Sequence, residues 1–390
     1  EIIKKTGIKK ESDAIEVIKI LNCQNQDAEI ERIQVYLLYC LQDCEYPDMV
    51  PELLNISQNA AKSVKKTILL LLTNIDSKEA VEFFFEILDS FNNEPHDYLS
   101  LRRWESKLIQ AENIFPRIFD YLEIQNLFYN ILLITLTYLQ NNKINSNVVS
   151  DKHVDFIINY VKQSEQKNAD LHLDTSKFNW FYEDEYNQFR CDLALILDLL
   201  GYLNHENKPF KQILLNYLDS KDPKLVFFAI KSLLTKSSKV DEKYFEFVAQ
   251  DNEMRLWLFE LLEEQNKLSL FPEKYKVQDE LAKSAMVNWL IFPTELGTAP
   301  DEIILENVFK FETKESIIEY FLFKFKTNPP HWAAEDGWMA GVSGPFNKNN
   351  YPTTKPRTGT FSSFDSWEQF TPEEHLKKIV DVLDDWAKKL

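Results

Sequence analysis

Glycine is scarce in this chain. Its 7 residues in 390 are about 2%, against a usual ~7%. That argues against sheet-rich folds with many tight turns and against glycine-dependent phosphate loops. Cysteine is scarce too: Cys23, Cys40, Cys44 and Cys191 are too few for a disulfide framework at this length. Positive charge is in deficit. The 44 Lys and Arg against 62 Asp and Glu leave a net charge of −18. A nucleic-acid backbone is then a poor partner, because phosphate binding needs clustered cations. Long apolar runs are also missing. Runs such as Ile68 to Leu72 and Ile131 to Ile134 fall far short of the ~20 residues a membrane helix needs.

What remains is a globular composition, 44% hydrophobic and 27% charged. The 28 Phe, 16 Tyr and 8 Trp can fill large cores or present aromatic binding surfaces. The chain begins at Glu1, not Met, which leaves room for a removed leader. The cytoplasm is the expected compartment.

From Ser12 to about Phe325 the apolar residues recur at helical spacing. Ile30, Ile33, Leu37 and Leu41 make one stripe, and Val64, Ile68, Leu71 and Ile75 a second. Leu127, Ile131, Ile134 and Tyr138 make a third, and Leu193, Ile196, Leu197 and Leu200 a fourth. Prolines fall at the edges of these patterns, where a helix tolerates them. Asp76-Ser77-Lys78-Glu79 and Asp222-Pro223 read as helix starts.

The stripes also repeat. Ile30, Ile33 and Leu37 align with Val64, Thr67 and Leu71, and with Val226, Ala229 and Leu233. Met254, Trp257 and Leu261, then Ala282, Ala285 and Trp289, continue the series. Intervals of this size suit a two-helix repeat. The segment from Leu218 to Leu234, with Asp222-Pro223 opening the helix that carries Val226, Ala229 and Leu233, resembles a HEAT repeat. The other windows keep the spacing but lose the turn residues, and Phe227 stands where that family usually has a basic residue. The resemblance implies an all-α fold, a superhelix of antiparallel helix pairs, over residues 1–328.

Residues 329–390 read differently. Pro329 to Pro372 holds six prolines and four of the seven glycines. It is rich in Trp and Phe, so it is expected to pack as an aromatic loop, with Trp338 and Trp367 largely buried. Thr371-Pro372-Glu373-Glu374 then starts a closing helix, with Thr as N-cap, Pro at N1 and Glu at N3.

Chemistry-bearing patterns are few. Cys40 and Cys44 would share a helix face, but no further Cys or His stands at finger-like spacing, so buried thiols are expected. None of the six His pair at metal-binding spacing. His331, Glu335, Asp336 and His375 could gather as an acid–base or metal group, or be a solvated loop. Gly341-Val342-Ser343-Gly344 places a Ser between glycines without the strand–turn–helix setting of a nucleophile. No catalytic residue, metal or cofactor is therefore assigned.

The sharpest local feature is Trp180-Phe181-Tyr182-Glu183-Asp184-Glu185-Tyr186. Either the acids occupy a first helical turn and the aromatics are core, or Trp180, Tyr182, Glu183, Asp184 and Glu185 form a contact patch for a basic partner. Trp332, Trp338, Phe346 and Trp367 pose the same choice, between a cap on the last repeat and a binding loop. Arg102, Arg103 and Lys107 are the best candidates for a local basic strip.

With this charge and no catalytic motif, the reading favours a non-enzymatic protein-binding solenoid that engages a basic macromolecular partner. An inhibitor or immunity-type protein is one form of it. The alternatives are a structural scaffold, and a hydrolase or lyase with its site beside the C-terminal element.

Overall fold

The computed structural model describes residues 8, 10–21, 27–91, 99, 101–108, 110–169, 180–203, 208–312, 316–331, 334, 337–356 and 359–387, with backbone alone for Gln125 and residues 383–387. Two compact units emerge. The first comprises Glu1–Lys162 and Asp198–Lys208, the second Gln163–Leu197 and Pro209–Leu390.

The first unit is helical. Its elements are α1 (Glu11–Leu21), α2 (Ala28–Tyr39), α3 (Val50–Ser57), α4 (Lys62–Leu72), α5 (Lys78–Asp89), α6 (Arg102–Lys107), α7 (Ala111–Ile114) and α8 (Gln125–Gln140). It also contains most of α9 (Asp151–Ala169) and the last turns of α10 (Asp184–Tyr202). Ser77 caps α5 by accepting the Ala80 N–H, as its sequence requires. The stripes on α4 and α8 are buried. The α2 stripe is not, since Ile33 is 50% exposed and Gln34 and Leu38 face inward instead. Alternate helices pack on one another: α1 on α3, α2 on α4, α3 on α5.

The second unit continues from α10 through α11 (Phe210–Leu218), α12 (Pro223–Thr235), α13 (Glu242–Gln250), α14 (Met254–Glu264) and α15 (Gln278–Leu290). Each packs on the next from α11 to α15. Asp222 caps α12 by accepting the Lys224 N–H, with Pro223 in the first turn. Val226, Ala229 and Leu233 are fully buried.

A recurring interval links the helices of both units. Asn74 donates to the Gln42 carbonyl, Gln110 to Asp76 and Tyr138 to the Trp104 carbonyl. Arg190 donates to Asp222, Ser232 to the Leu197 carbonyl and Ser284 to the Asn252 carbonyl. Each bond spans 32 to 35 residues.

The all-α expectation is wrong. Residues 302–326, expected to be helical, form β1 (Glu302–Glu312) and β2 (Ile317–Lys326), and the expected aromatic loop contains β3 (Trp338–Asn347) and β4 (Gly359–Ser366). The four make one antiparallel sheet in the order β1-β2-β3-β4. α15 packs on one face of it, and α16 (Pro372–Ala387) on the other. The helix start at α16 is as expected: Glu374 accepts the Thr371 N–H, and the Thr371 hydroxyl accepts the Glu374 N–H.

The physical reason for the misreading lies in β2. Its middle is buried on both faces. Phe321, Phe323 and Phe325 meet Ala282, Met286 and Leu290 of α15, while Tyr320 and Leu322 meet Leu376 and Ile379 of α16. A strand buried twice shows no polar alternation. In β1 a bulge between Leu305 and Asn307 breaks the alternation that was present.

Where glycine is needed, it is present. Gly344 has φ of +141°, and a Cβ there would lie 2.9 Å from the Glu319 carbonyl oxygen. Gly344→Ala is expected to cost about 1–3 kcal/mol, seen as a lower urea midpoint with helical circular dichroism retained. An unchanged midpoint would show that the β2–β3 pairing tolerates a Cβ at this point.

Candidate functional site

The run Trp180 to Tyr186 opens as a single 3-10 turn, Trp180–Tyr182, and passes into α10. Its charged and aromatic halves separate. Glu183, just before the helix, and Asp184 and Glu185, in its first turn, are exposed, whereas Phe181 and Tyr186 are buried and Trp180 and Tyr182 half-buried. The rings pack on each other, Trp180 lying 4.6 Å from Tyr186 and 5.4 Å from Phe181.

Beneath them lies Arg190, 1% exposed. Its guanidinium sits 4.7 Å over the Phe181 ring and 5.2 Å from the Tyr182 ring, within cation–π range. Nε meets Asp222 at 2.9 Å, and Nη2 meets Glu253 at 2.9 Å. The Tyr182 hydroxyl donates to Glu253 at 2.7 Å and the Tyr186 hydroxyl to Asp222 at 3.2 Å. Lys224 Nζ stands 3.8 Å from Glu253. A second buried guanidinium, Arg255, donates to the Ala249, Gln250 and Glu280 carbonyls and pairs with the Glu280 carboxylate.

These contacts set the protonation states. Burial works against the charge on Arg190, but Asp222 and Glu253 outweigh it and hold the guanidinium firmly protonated. Burial would raise Glu253, yet Arg190, Lys224 and the Tyr182 hydroxyl keep its carboxyl below the ordinary range. At Asp251 the pull of Arg190 is outweighed. Burial, then the charge of Glu253, pushes its carboxyl up to about 6, although it accepts the backbone N–H groups of Glu253 and Met254.

Sequence reasoning missed this cluster. A signal existed: Arg190 interrupts an apolar helix, and its partners lie 32 and 63 residues away, close to one and two repeat intervals.

The C-terminal aromatics serve different ends. Phe346 is 1% exposed and packs edge-on to Phe321 at 5.7 Å, so it is core. Trp338 and Trp367 are half-buried, less than expected. Lys326 and Lys324 lie 4.6 and 5.1 Å from the Trp338 ring. The Trp367 ring stacks on His375 at 4.9 Å, and its carbonyl meets His375 Nε2 at 3.0 Å. Trp332, Glu335 and Asp336 lie outside the described residues. His331 stacks on Phe364.

The remaining candidates carry no chemistry of their own. Ser343 is buried in β3 with its hydroxyl against Thr360. α2 ends at Tyr39, so Cys40 and Cys44 flank a turn and do not share a helix face. Burial, with Asp43 adding, pushes the Cys44 thiol up. Lys107 pairs with Glu45, and Arg103 lies 3.7 Å from Asp43, so the basic strip is largely answered by acids. Among the described residues no group of three or more His, Cys, Asp and Glu could hold a metal, and no helix is long and apolar enough to cross a membrane.

No protein-family model, curated protein or solved structure matches this chain.

Two outcomes follow from the cluster. Arg190→Met should leave two carboxylates buried without their main cation and cost about 3–5 kcal/mol near pH 7, measured by urea unfolding. A loss below about 1 kcal/mol would mean the cluster is hydrated. The second concerns Asp251. The folded chain takes up its proton near pH 6, the unfolded chain only near ~4. Stability should therefore rise as pH falls from 7 to 5, by about 1.3 kcal/mol. Below that range Glu253, held low by Arg190, loses its contribution. Asp251→Asn keeps the acceptor but removes this titration, so its unfolding midpoint should lose the parent's rise between pH 7 and 5. A variant with the parent's slope would place the titration elsewhere.

Proposed function

We propose that the helical part of this chain is a degenerate HEAT-like array and that the protein is a non-enzymatic binding module for a basic macromolecular partner. The array reading is supported by the recurring hydrogen bonds across 32 to 35 residues and by the Asp222-Pro223 helix start. One observation carries the binding reading. Glu183, Asp184 and Glu185 stand exposed side by side on a turn pinned from below by Arg190. Charges held on a rigid base lose little entropy when a partner pairs with them. The net charge of −18 draws cationic surfaces from a distance. Trp180 and Tyr182 enter this reading as the support of the acidic turn, because their rings are engaged inside the fold.

Affinity capture from the source cell tests it, with the parent chain and a Glu183→Lys, Asp184→Lys, Glu185→Lys variant as baits. The captured proteins should be basic, reduced at least severalfold on the variant, and released between 50 and 500 mM salt as the Debye length falls from roughly 14 to 4 Å. Identical capture by both baits, or capture dominated by acidic proteins, would overturn the proposal.

A further inference from the structure

The sheet is covered unequally. α15 packs across all four strands on one face, whereas on the other α16 runs over β3 and β4 and reaches β2 only with its flank. Strands lie about 4.8 Å apart and a helix is about 10 Å across. One helix therefore shields two strands, and a second fits beside it.

The uncovered half is apolar. Phe309 and Phe311 of β1, Ile318 and Tyr320 of β2, and Leu376 and Val380 of α16 line an open groove of about 610 Å³. Phe311 is 46% exposed, and Ile304, on the same face, 41%. Glu373, Lys377 and Asp381 of α16 form the charged wall. The two acids stand about 12 Å apart along the helix axis.

We propose that this groove docks an amphipathic helix of a partner protein, laid beside α16 over β1 and β2. Its apolar stripe recurs at i, i+3 or i+4, and i+7, and it carries Lys or Arg opposite Glu373 and Asp381. The remaining occupants fit less well. Strand addition needs the free edge of β1, which is bent by its bulge and lined by Glu302, Glu306 and Lys310, the devices that block edge pairing. A second copy would set two chains of −18 and two acidic rims against each other. A small ligand would be left open to water along one side, unlike the enclosed sites that such molecules occupy.

The test is selection from a displayed library of 16-residue amphipathic helices on the full chain, with counter-selection on Phe311→Asp. Phe311 is exposed enough for that variant to fold, which its melting temperature checks. Enriched sequences should carry the stated stripe with Lys or Arg on its flank. As synthetic peptides they should bind the parent at least tenfold more tightly than Phe311→Asp, and more tightly than their own proline-interrupted forms. A Glu373→Lys, Asp381→Lys variant, altered only in surface charge, should lose binding severalfold and regain it with Lys→Glu peptides. Failure to enrich, enrichment of proline-tolerant or acidic sequences, or a parent dimer that Phe311→Asp dissociates would each overturn the proposal. Charge reversal at residues 183–185 should leave this binding unchanged, so the two proposed surfaces stand or fall separately.

Discussion

A guanidinium buried as fully as that of Arg190 has to be neutralised where it lies. Moving an ion out of water costs several kcal/mol even after relaxation, and one carboxylate rarely repays it. Here two do so, Asp222 and Glu253, helped by two aromatic faces and by tyrosine hydroxyls that donate to both carboxylates. The arrangement fixes more than itself. Asp222 also caps α12, and Glu253 precedes α14. A single side chain on α10 thus sets the register of two later helices. It also immobilises the turn that holds up the acids of the proposed binding surface. Apolar packing alone would let these helices slide, because the hydrophobic effect has no direction. Charge-assisted bonds tolerate little displacement.

The sheet has no such polar anchor and relies on its two faces. β2 is rich in aromatics, so Phe rings meet α15 on one side while Tyr320 and Leu322 meet α16 on the other. β3 can approach α15 closely because Gly341 lacks a Cβ, which would fall 2.6 Å from the Met286 sulfur. Glu319, a buried acid in this region, is answered by the Tyr351 hydroxyl and by Lys348 and Lys310. It sits on β2 beside the β-bulge with β3.

The helices were legible in the sequence because one face of each is wet. Val64, Ile68, Leu71 and Ile75 could only be a stripe, and Ser77, Asp222 and Thr371 mark helix starts through short-range bonds. The α2 stripe failed because apolar residues on a short helix can lie on either side of it, and Ile33 lies outside. The strands were hidden by double burial and by a bulge. Glycine scarcity misled, since a four-stranded meander places few residues at positive φ, and three of the seven glycines sit there within or beside its strands. The acids stand exposed at the start of α10, a placement common to both readings of this run. Its aromatics were ambiguous because Trp180 and Tyr182 owe their places to residues up to 71 positions away.

Charge accounts for the remaining asymmetry. The buried guanidinium groups are answered locally, Arg190 and Arg255 being set among Asp222, Glu253 and Glu280 with Lys224 close by. Their fields cancel over a few ångströms. The excess of 62 acids over 44 cations is therefore carried almost wholly at the surface, where it repels copies of the same chain and attracts cations. An apolar groove on such a surface is not an ordinary aggregation hazard, because like chains are held off before their apolar faces meet. On the proposed reading, positive charge on the partner favours the close approach that desolvates Phe309, Phe311 and Ile318. Long-range charge selects who arrives, and short-range apolar contact sets how long it stays.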